Sequence, residues 1–585
     1  MSEPTPLSSL QKNLTLQRVK VKILAVSVGF LPTGLACAQA TYTELTEKAT
    51  ETVASQDSAN YPTALQRFEE AFAAFPDSVN GTELYFASKA AAALKYNDQA
   101  FAYLTPLANM ETDEEGYPGW SFVLDEYAKE DYQNLLDDPR WSQLEEEVAG
   151  DKQAYFERLS AAEEEFFDTA GSALDTTARA EALYPALRSY HPYLKKRQQD
   201  YSLSFTINDS ATSSYLVHLP SGYTPDKPYP VLVFLHGAVR YSSLREYQID
   251  RITLGGGNRF YTQYAALHDV ILVFPGASKK YNWMTSDDGF FMVPDIIKQL
   301  KTTLNLDDNK IFVTGHSNGA TGSFSYLMKQ PTPFAGFYGF NTHPKVYTGG
   351  TFVENILNRS FINFSTDQDY YYPPQANDRL ALLMDSVHAD YEDHRYNGFP
   401  HWFPQFDESE PAFEILFADL AKRERNPYPA AVQWEFDDNR YGTVDWLTAI
   451  TLDTLAPKAD WHQPLNFAIE EWLAYDENDS LVTEQVEENA FDFPRKSGKI
   501  IAAYQDNTFR VKTSRIGSFR VNISPEMINL NANVKVYVNG KLRYDQQVGY
   551  DRAFMLRHFR ENRDREQVWV NTIELEVKDP ADHDG

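Results

Sequence analysis

The stretch IFVTGHSNGATGS, residues 311–323, decides how the chain is read. A greasy, strand-like run ends in Gly315-His316-Ser317-Asn318-Gly319, and the small residues Ala320, Thr321 and Gly322 follow. A serine hydroxyl is a poor nucleophile until a base takes its proton, and it must stand where a carbonyl carbon can reach it. A sharp strand-to-helix turn presents a side chain in that way, and glycines on either side leave room for neighbouring backbone. The opposing reading is a tight turn with no further role. The rest of the chain decides between them by whether it supplies partners for the serine.

An oxyanion site needs two backbone N–H groups aimed at the developing charge. Asn318, directly after the serine, supplies one. The other is expected after an earlier buried strand, LVFLHGAVR (232–240), where His236-Gly237 ends the strand and Ala238 offers the next amide. An acid and a base then have to follow in chain order. FINFSTDQDYYYPP (361–374) places Asp367 and Asp369 just past a strand, and NGFPHWFPQF (397–406) carries His401 in an aromatic, proline-rich loop. Other histidines fit less well. His316 is locked into the turn with its side chain directed away from the serine's path, and His343 comes too early. His388 and His394 are expected on a helical stretch rich in carboxylates, with a spacing that matches no metal-ligand set.

The surroundings of Ser317 suit a mostly parallel sheet. VLVFLH (231–236), VILVFP (270–275), KIFVTG (310–315), FAGFYGF (334–340) and FINFS (361–365) are short runs greasy on both faces, with helix-like stretches between them. YSLSFTI (201–207) and SSYLVHLP (213–220) alternate and suit an antiparallel edge. The expected fold class is therefore α/β over residues 196–425. Residues 41–195 read as helical, with Ala64, Phe68, Ala71, Phe72 and Phe75 recurring at three- and four-residue spacing until Pro76. The pattern resembles tetratricopeptide helix pairs over about two degenerate units, a surface for a protein partner or a cover for the mouth of the site. Residues 426–585 read as a β-rich domain, with a tight hairpin at Asn539-Gly540 and no ligand motif.

Residues 1–40 resemble an export signal. Arg18, Lys20 and Lys22 precede ILAVSVGFLPTGLACA (23–38), and Ala38-Gln39-Ala40 is a small-x-small cleavage site, which predicts a secreted or periplasmic protein. The apolar stretch is short and broken by Pro32 and Gly34, so no membrane insertion is expected after cleavage. Gly34 stands where a lipoprotein signal would carry leucine, three before Cys37, the one cysteine in the chain. Cleavage would leave 49 basic against 82 acidic side chains, a net charge of −33. Such a surface repels nucleic acid and anionic lipid.

At these motifs a family resemblance becomes specific. Residues 228–420 resemble exported serine esterases of the α/β-hydrolase superfamily, near the polyhydroxybutyrate-depolymerase and feruloyl-esterase branch. The match runs in order through strand-HGA, VFPGASKKYNW, SDDGFFMVPDIIKQL, NKIFVTGHSNGATGS and GFPHWFP. It implies Ser317 as nucleophile, His401 as base, Ala238 and Asn318 at the oxyanion hole, and Asp369 as acid. Asp369 is favoured over Asp367 because it lies four before Pro373, a spacing common there in the superfamily. The substrate implied is a small-molecule or saccharide ester, with no metal or organic cofactor. The branch often has a second glycine where Ala238 and Val239 stand, and often disulfides, so substrate identity is not inherited. The C-terminal region resembles a domain that accompanies some bacterial esterases and prolyl-peptidase-like hydrolases. Two alternatives stay open: a prolyl-oligopeptidase-like peptidase, and a non-catalytic hydrolase-like binding module.

Overall fold

The computed structural model describes residues 41–578, apart from 57, 115, 172–173, 240–257 and 479. Residues 1–40, read above as signal-like, and Cys37 among them lie outside the described residues. No described helix is long and apolar enough to cross a membrane.

The chain divides into two compact units, with the break between Ala162 and Glu163. In the first, helices α1 (Tyr42–Ala54), α2 (Tyr61–Ala74), α3 (Gly81–Ala93) and α4 (Asn97–Ala108) pack as consecutive pairs. Ala87, Ala90, Ala91 and Ala92 on α3 are fully buried, as are Phe68 and Ala71 on α2. Methyl-sized side chains let the neighbouring helices close on α3 while the phenyl rings fill what remains. A long helix, α5 (Pro139–Phe167), follows and contains the break. The sequence places that boundary near 195. Instead, residues 163–195 belong to the second unit: Glu163 accepts from the Ser204 backbone (2.9 Å), Tyr201 donates to Glu165 (2.7 Å), and Lys196 donates to Thr303 (2.8 Å). Helical periodicity in 163–195 says nothing about which core a helix serves.

The second unit is built on one mixed eight-stranded sheet. Its strands are β1 (Asp200–Asn208), β2 (Ala211–His218), β3 (Tyr229–Leu235), β4 (Ile271–Pro275), β5 (Leu306–Gly315), β6 (Gly336–Phe340), β7 (Ser360–Gln368) and β8 (Tyr391–Pro400). Their order is β1-β2-β4-β3-β5-β6-β7-β8. β2 runs antiparallel to both neighbours, and β4 to β8 pair in parallel through β3. Period-two alternation explains the continuous apolar runs. Leu232, Phe312, Tyr338, Phe340, Ile362 and Phe364 face one core with helices α7 (Asn258–His268) and α11 (Glu410–Lys422). Phe361, between Ser360 and Ile362, instead meets Phe324 of α9 (Asn318–Lys329) on the opposite face, ring centroids 5.5 Å apart. The remaining helices of this unit are α6 (Ala180–Arg188), α8 (Gly289–Leu300), α10 (Pro374–Ser386) and α12 (Arg552–Asn562).

β8 corrects the reading of 388–396 as helical. His388 sits in the turn after α10 with φ 59°, and His394 lies in β8, its ring stacked on Phe364 (5.6 Å) and its Nε2 against Glu392 (2.9 Å). β8 ends the sheet order, and Glu392, Asp393 and Arg395 follow closely along it, exposed or only partly buried, as an edge strand allows.

Residues 426–578 are rich in strand and belong to this same compact unit. A five-stranded sheet, β17-β16-β14-β13-β9, joins β9 (Ala431–Phe436), β13 (Gly498–Gln505), β14 (Thr508–Ser514), β16 (Asn533–Val538) and β17 (Lys541–Gln547). A three-stranded sheet joins β10 (Leu447–Leu452), β15 (Ile516–Ile523) and β18 (Asn571–Glu576). A separate hairpin pairs β11 (Ala468–Tyr475) with β12 (Leu481–Asn489). Asn539 (φ 49°) and Gly540 (φ 81°) turn β16 into β17 through two left-handed residues, as a two-residue hairpin loop requires.

Buried charge ties this region to the sheet. Asp564 accepts both arms of Arg425 (2.9 and 3.1 Å) and meets Lys301 at 3.0 Å, while Lys301 and Arg565 also reach Asp308. Burial works against an ionised Asp564, but Arg425 and Lys301 hold its carboxyl well below the usual carboxylate range. Lys329, at the end of α9, is less well served. Its ammonium stands 3.8 Å over the Tyr441 ring, and burial pushes it down to about 8, only partly offset by the carboxylates of Asp437 and Asp287.

From about pH 8 to 10.5 the unfolded chain holds more protons at Lys329 than the folded one, so this group makes the protein more stable as pH rises through that window. We expect Lys329→Met to stabilise the protein at pH 7 by about 1–3 kcal/mol. Urea titrations at pH 7 and pH 10 should show the gap between variant and parent shrinking at the higher pH.

Candidate active site

Ser317 lies between the end of β5 and the start of α9, with φ 59° and ψ −122°. Few residues with a side chain hold that conformation, and it costs about 1–3 kcal/mol unless the surroundings impose it. Here they do. A Cβ added to Gly319 would lie 1.8 Å from the Leu235 carbonyl oxygen, and one on Gly315 would lie 2.4 Å from the Gly319 carbonyl carbon. The start of α9 is thus pressed against the ends of β3 and β5. The Ser317 N–H donates to the Phe340 carbonyl (3.1 Å), which pins the turn to β6 as well.

The loop after β3 meets the same point. A Cβ built on Gly237 would lie 3.8 Å from Ser317 Oγ. Ala238 follows with φ 56°. His236 braces this loop: its Nε2 accepts from the Ala277 N–H (3.0 Å), which leaves Nδ1 to donate to the Gly237 carbonyl (2.8 Å). Asn318 is the first residue of α9, where a backbone N–H has no acceptor within the helix. Its side-chain amide donates to the Tyr371 hydroxyl (2.7 Å), and that hydroxyl lies 3.2 Å from Thr321 Oγ1.

Of the two carboxylates after β7, Asp369 is the one that meets an imidazole. Its Oδ1 lies 2.7 Å from His401 Nδ1, and both residues are only 2% exposed. Asp369 also accepts from the Tyr371 N–H (2.9 Å) and from the Asn341 side chain (3.0 Å). A carboxylate with these donors is fixed in place, and it sets the His401 tautomer with the proton on Nδ1. Asp367 instead accepts from the Gly398 N–H (2.7 Å), across the β7–β8 end.

His316, expected to be locked into the turn with its side chain directed away from the serine's path, reaches the loop that carries His401. Its Nε2 lies 2.7 Å from the His401 carbonyl oxygen, and the two rings are 4.8 Å apart. Facing a carbonyl, Nε2 must carry the proton. Burial of the ring, with the His401 imidazole beside it, pushes His316 down to about 3, so it stays neutral in ordinary buffers. It therefore ties the turn at Ser317 to the loop that carries His401.

Aromatic rings enclose this pair. Tyr371, Trp402 and Tyr370 lie 5.1, 5.2 and 5.3 Å from the His401 ring. Trp283 is fully buried, and a Cβ on Gly322 would strike it at 2.3 Å, so its role is packing under α9. Sequence reasoning missed the parts played by His316, Asn341 and Tyr371. Asn341 was findable, as a polar residue closing the apolar run FAGFYGF. It also missed Trp472 and Tyr475 of β11, which approach His343 (5.9 Å) and Tyr370 (5.7 Å).

No family model and no curated protein matches the sequence. Solved structures do resemble it in part. A thermostable esterase is 22% identical, over 39% of this chain and 64% of its own, with a TM-score of 0.32. This chain thus spans just under two thirds of that esterase's length. Esterase 2 of Thermogutta terrifontis is 15% identical, over 39% of this chain and 94% of its own, with a TM-score of 0.31. LpqC, a poly(3-hydroxybutyrate) depolymerase of Bordetella parapertussis, is 15% identical, over 38% and 94%, with a TM-score of 0.29.

The turn geometry predicts opposite effects for two small substitutions. Ser317→Gly relieves the left-handed strain and should raise stability by about 1 kcal/mol. Gly319→Ala should lower the urea midpoint well below that of the parent, or prevent soluble expression, because its methyl has no room against β3.

Proposed function

We propose that the chain is a serine-dependent carboxylic-ester hydrolase with an α/β-hydrolase catalytic domain. The observation that carries this reading is the buried Asp369–His401 bond beside the strained turn that holds Ser317. Supporting it, the order β1-β2-β4-β3-β5-β6-β7-β8, with an antiparallel second strand and the serine after β5, is the arrangement in which a nucleophile elbow occurs. The acid follows β7 and the base follows β8, in the order serine, aspartate, histidine.

On this reading His401 Nε2 takes the Ser317 proton as Oγ attacks the ester carbonyl. The Ala238 and Asn318 N–H groups hold the oxyanion, and Asp369 stabilises the imidazolium through Nδ1–H. Collapse expels the alcohol, which leaves with the proton from His401. Water then attacks the acyl-enzyme with His401 again as base, which releases the acid and restores Ser317. The acyl transfer itself needs no further group. The substrate is a small-molecule or saccharide ester. The signal-like residues 1–40 favour a secreted or periplasmic location, and the paired helices of the first unit are offered to a protein partner.

A fluorophosphonate probe should label the full-length protein at Ser317 and fail on Ser317→Ala. Hydrolysis of p-nitrophenyl acetate should fall by at least about 10⁴-fold in Ser317→Ala and about 10³–10⁴-fold in Asp369→Asn. Undiminished turnover in Ser317→Ala would refute the assignment.

A further inference from the structure

The hairpin β11–β12 is the part of the C-terminal region that reaches the candidate site. It forms a sheet of two strands only. At its base the Asn466 side chain brackets Phe491, donating to its carbonyl (2.9 Å) and accepting from its N–H (3.0 Å). Arg379 of α10 holds it from the side through Glu470 and the Ala468 carbonyl, both at 2.6 Å. A free two-stranded hairpin is marginal in water, so these anchors fix where its side chains stand.

The hairpin extends the rings around the imidazole. Tyr475 lies 5.7 Å from Tyr370, which lies 5.3 Å from His401. Trp472 lies 6.3 Å from Tyr372 and 5.9 Å from His343. Tyr370 is 36% exposed and Tyr475 49% exposed, so part of each aromatic side chain meets solvent beside a buried base. Apolar surface kept open at such a place marks a ligand contact. Trp472 and Glu484 pair across the strands on one face of the hairpin, while Glu471 and Gln485 pair on the other, the face that Tyr475 shares. Directly opposed side chains on a sheet are neighbours. The rim therefore mixes ring faces with carboxylate and amide acceptors. That combination suits a ligand apolar on its flat faces and hydroxylated around its edge, and the hairpin's glutamates disfavour an anion.

We propose that Trp472, from one face of the hairpin, and Tyr475 with Tyr370, from the other, line a subsite for neutral sugar rings, which holds the carbohydrate part of a saccharide ester beside Ser317. The proposal rests on the hydrolase reading for the ester, but the binding of sugar is measured separately. In the Ser317→Ala full-length protein, hexasaccharides of β-linked glucose or xylose are titrated by calorimetry and tryptophan fluorescence. At least one should bind, and adding Trp472→Ala or Tyr475→Ala should weaken it about tenfold. Tyr475 is half-exposed, so its variant keeps the test intact if Trp472→Ala does not fold. With Ser317 present, Tyr475→Ala should raise KM for an acetylated oligosaccharide about tenfold more than it raises KM for p-nitrophenyl acetate. Binding of neither sugar, or equal binding in parent and hairpin variants, overturns the subsite. Sugar binding without turnover of any ester would instead overturn the hydrolase reading and leave the subsite standing.

Discussion

The close approach of three backbones at Gly315, Gly319 and Leu235 is the constraint on which the rest of the second unit depends. β-Carbons at the two glycines would overlap backbone at 2.4 and 1.8 Å, so α9 starts directly on the ends of β3 and β5. That contact forces Ser317 into a left-handed conformation and turns its side chain out of the sheet. It also sets where the loop after β3 passes, because Gly237 must lie alongside Ser317. A helix starting one residue later, or a larger residue at either glycine, would separate the serine from that loop. Strain at one residue is sustained by packing from three strands, which is how folds retain conformations that are locally unfavourable.

Around this point the polar groups form a connected set. Asn341 and the Tyr371 amide orient Asp369, Asp369 orients His401, and His316 holds the His401 carbonyl from the other side. The Tyr371 hydroxyl returns to Asn318, next to the serine. The Asn341 amide donates to both Thr366 and Asp369, while its Oδ1 is buried without a partner among the described residues, and an unpaired buried group of that kind costs about 1–3 kcal/mol. Such a set is rigid because no single member can move without exposing another. The neutrality of His316 matters here: a second cation 4.8 Å from the His401 ring would oppose formation of the imidazolium.

Much of the α/β sheet was legible because it obeys local rules. Runs such as VLVFLH and FAGFYGF are apolar on both faces, and only strands covered on both sides need that. β8 was not legible: YEDHRYN carries its polar residues in one unbroken run with no period of two, and its carboxylates and histidine fit a wet helix face as well as an edge strand. Chain order brought Asp369 and His401 under consideration together, and their side chains lie 2.7 Å apart in the structure. His316 escaped because its contact, with a carbonyl 85 residues on, leaves no trace in local pattern. Trp472 and Tyr475 escaped for the same reason, as no periodicity within 468–489 says which loop the hairpin will meet.

The C-terminal strands engage the large sheet at both ends of the chain path, and the two attachments differ in kind. Near the start of β5, Asp564 is buried among Arg425 and Lys301, with Asp308 and Arg565 beside them. Buried pairs of this type add little net stability over well-packed apolar groups, because desolvation cancels most of the attraction. Misalignment is another matter. A slip that parts Asp564 from its cations leaves several buried charges unpaired, at about 3–5 kcal/mol for each broken pair. The network therefore penalises every docking but one. At the far end the hairpin is held by Arg379 and otherwise meets the site through rings at 5.7–6.3 Å, contacts that tolerate small displacements. A buried charge network at one end and the Arg379 anchor with ring contacts at the other thus hold the C-terminal strands to the large sheet, the first by penalising misalignment and the second by packing.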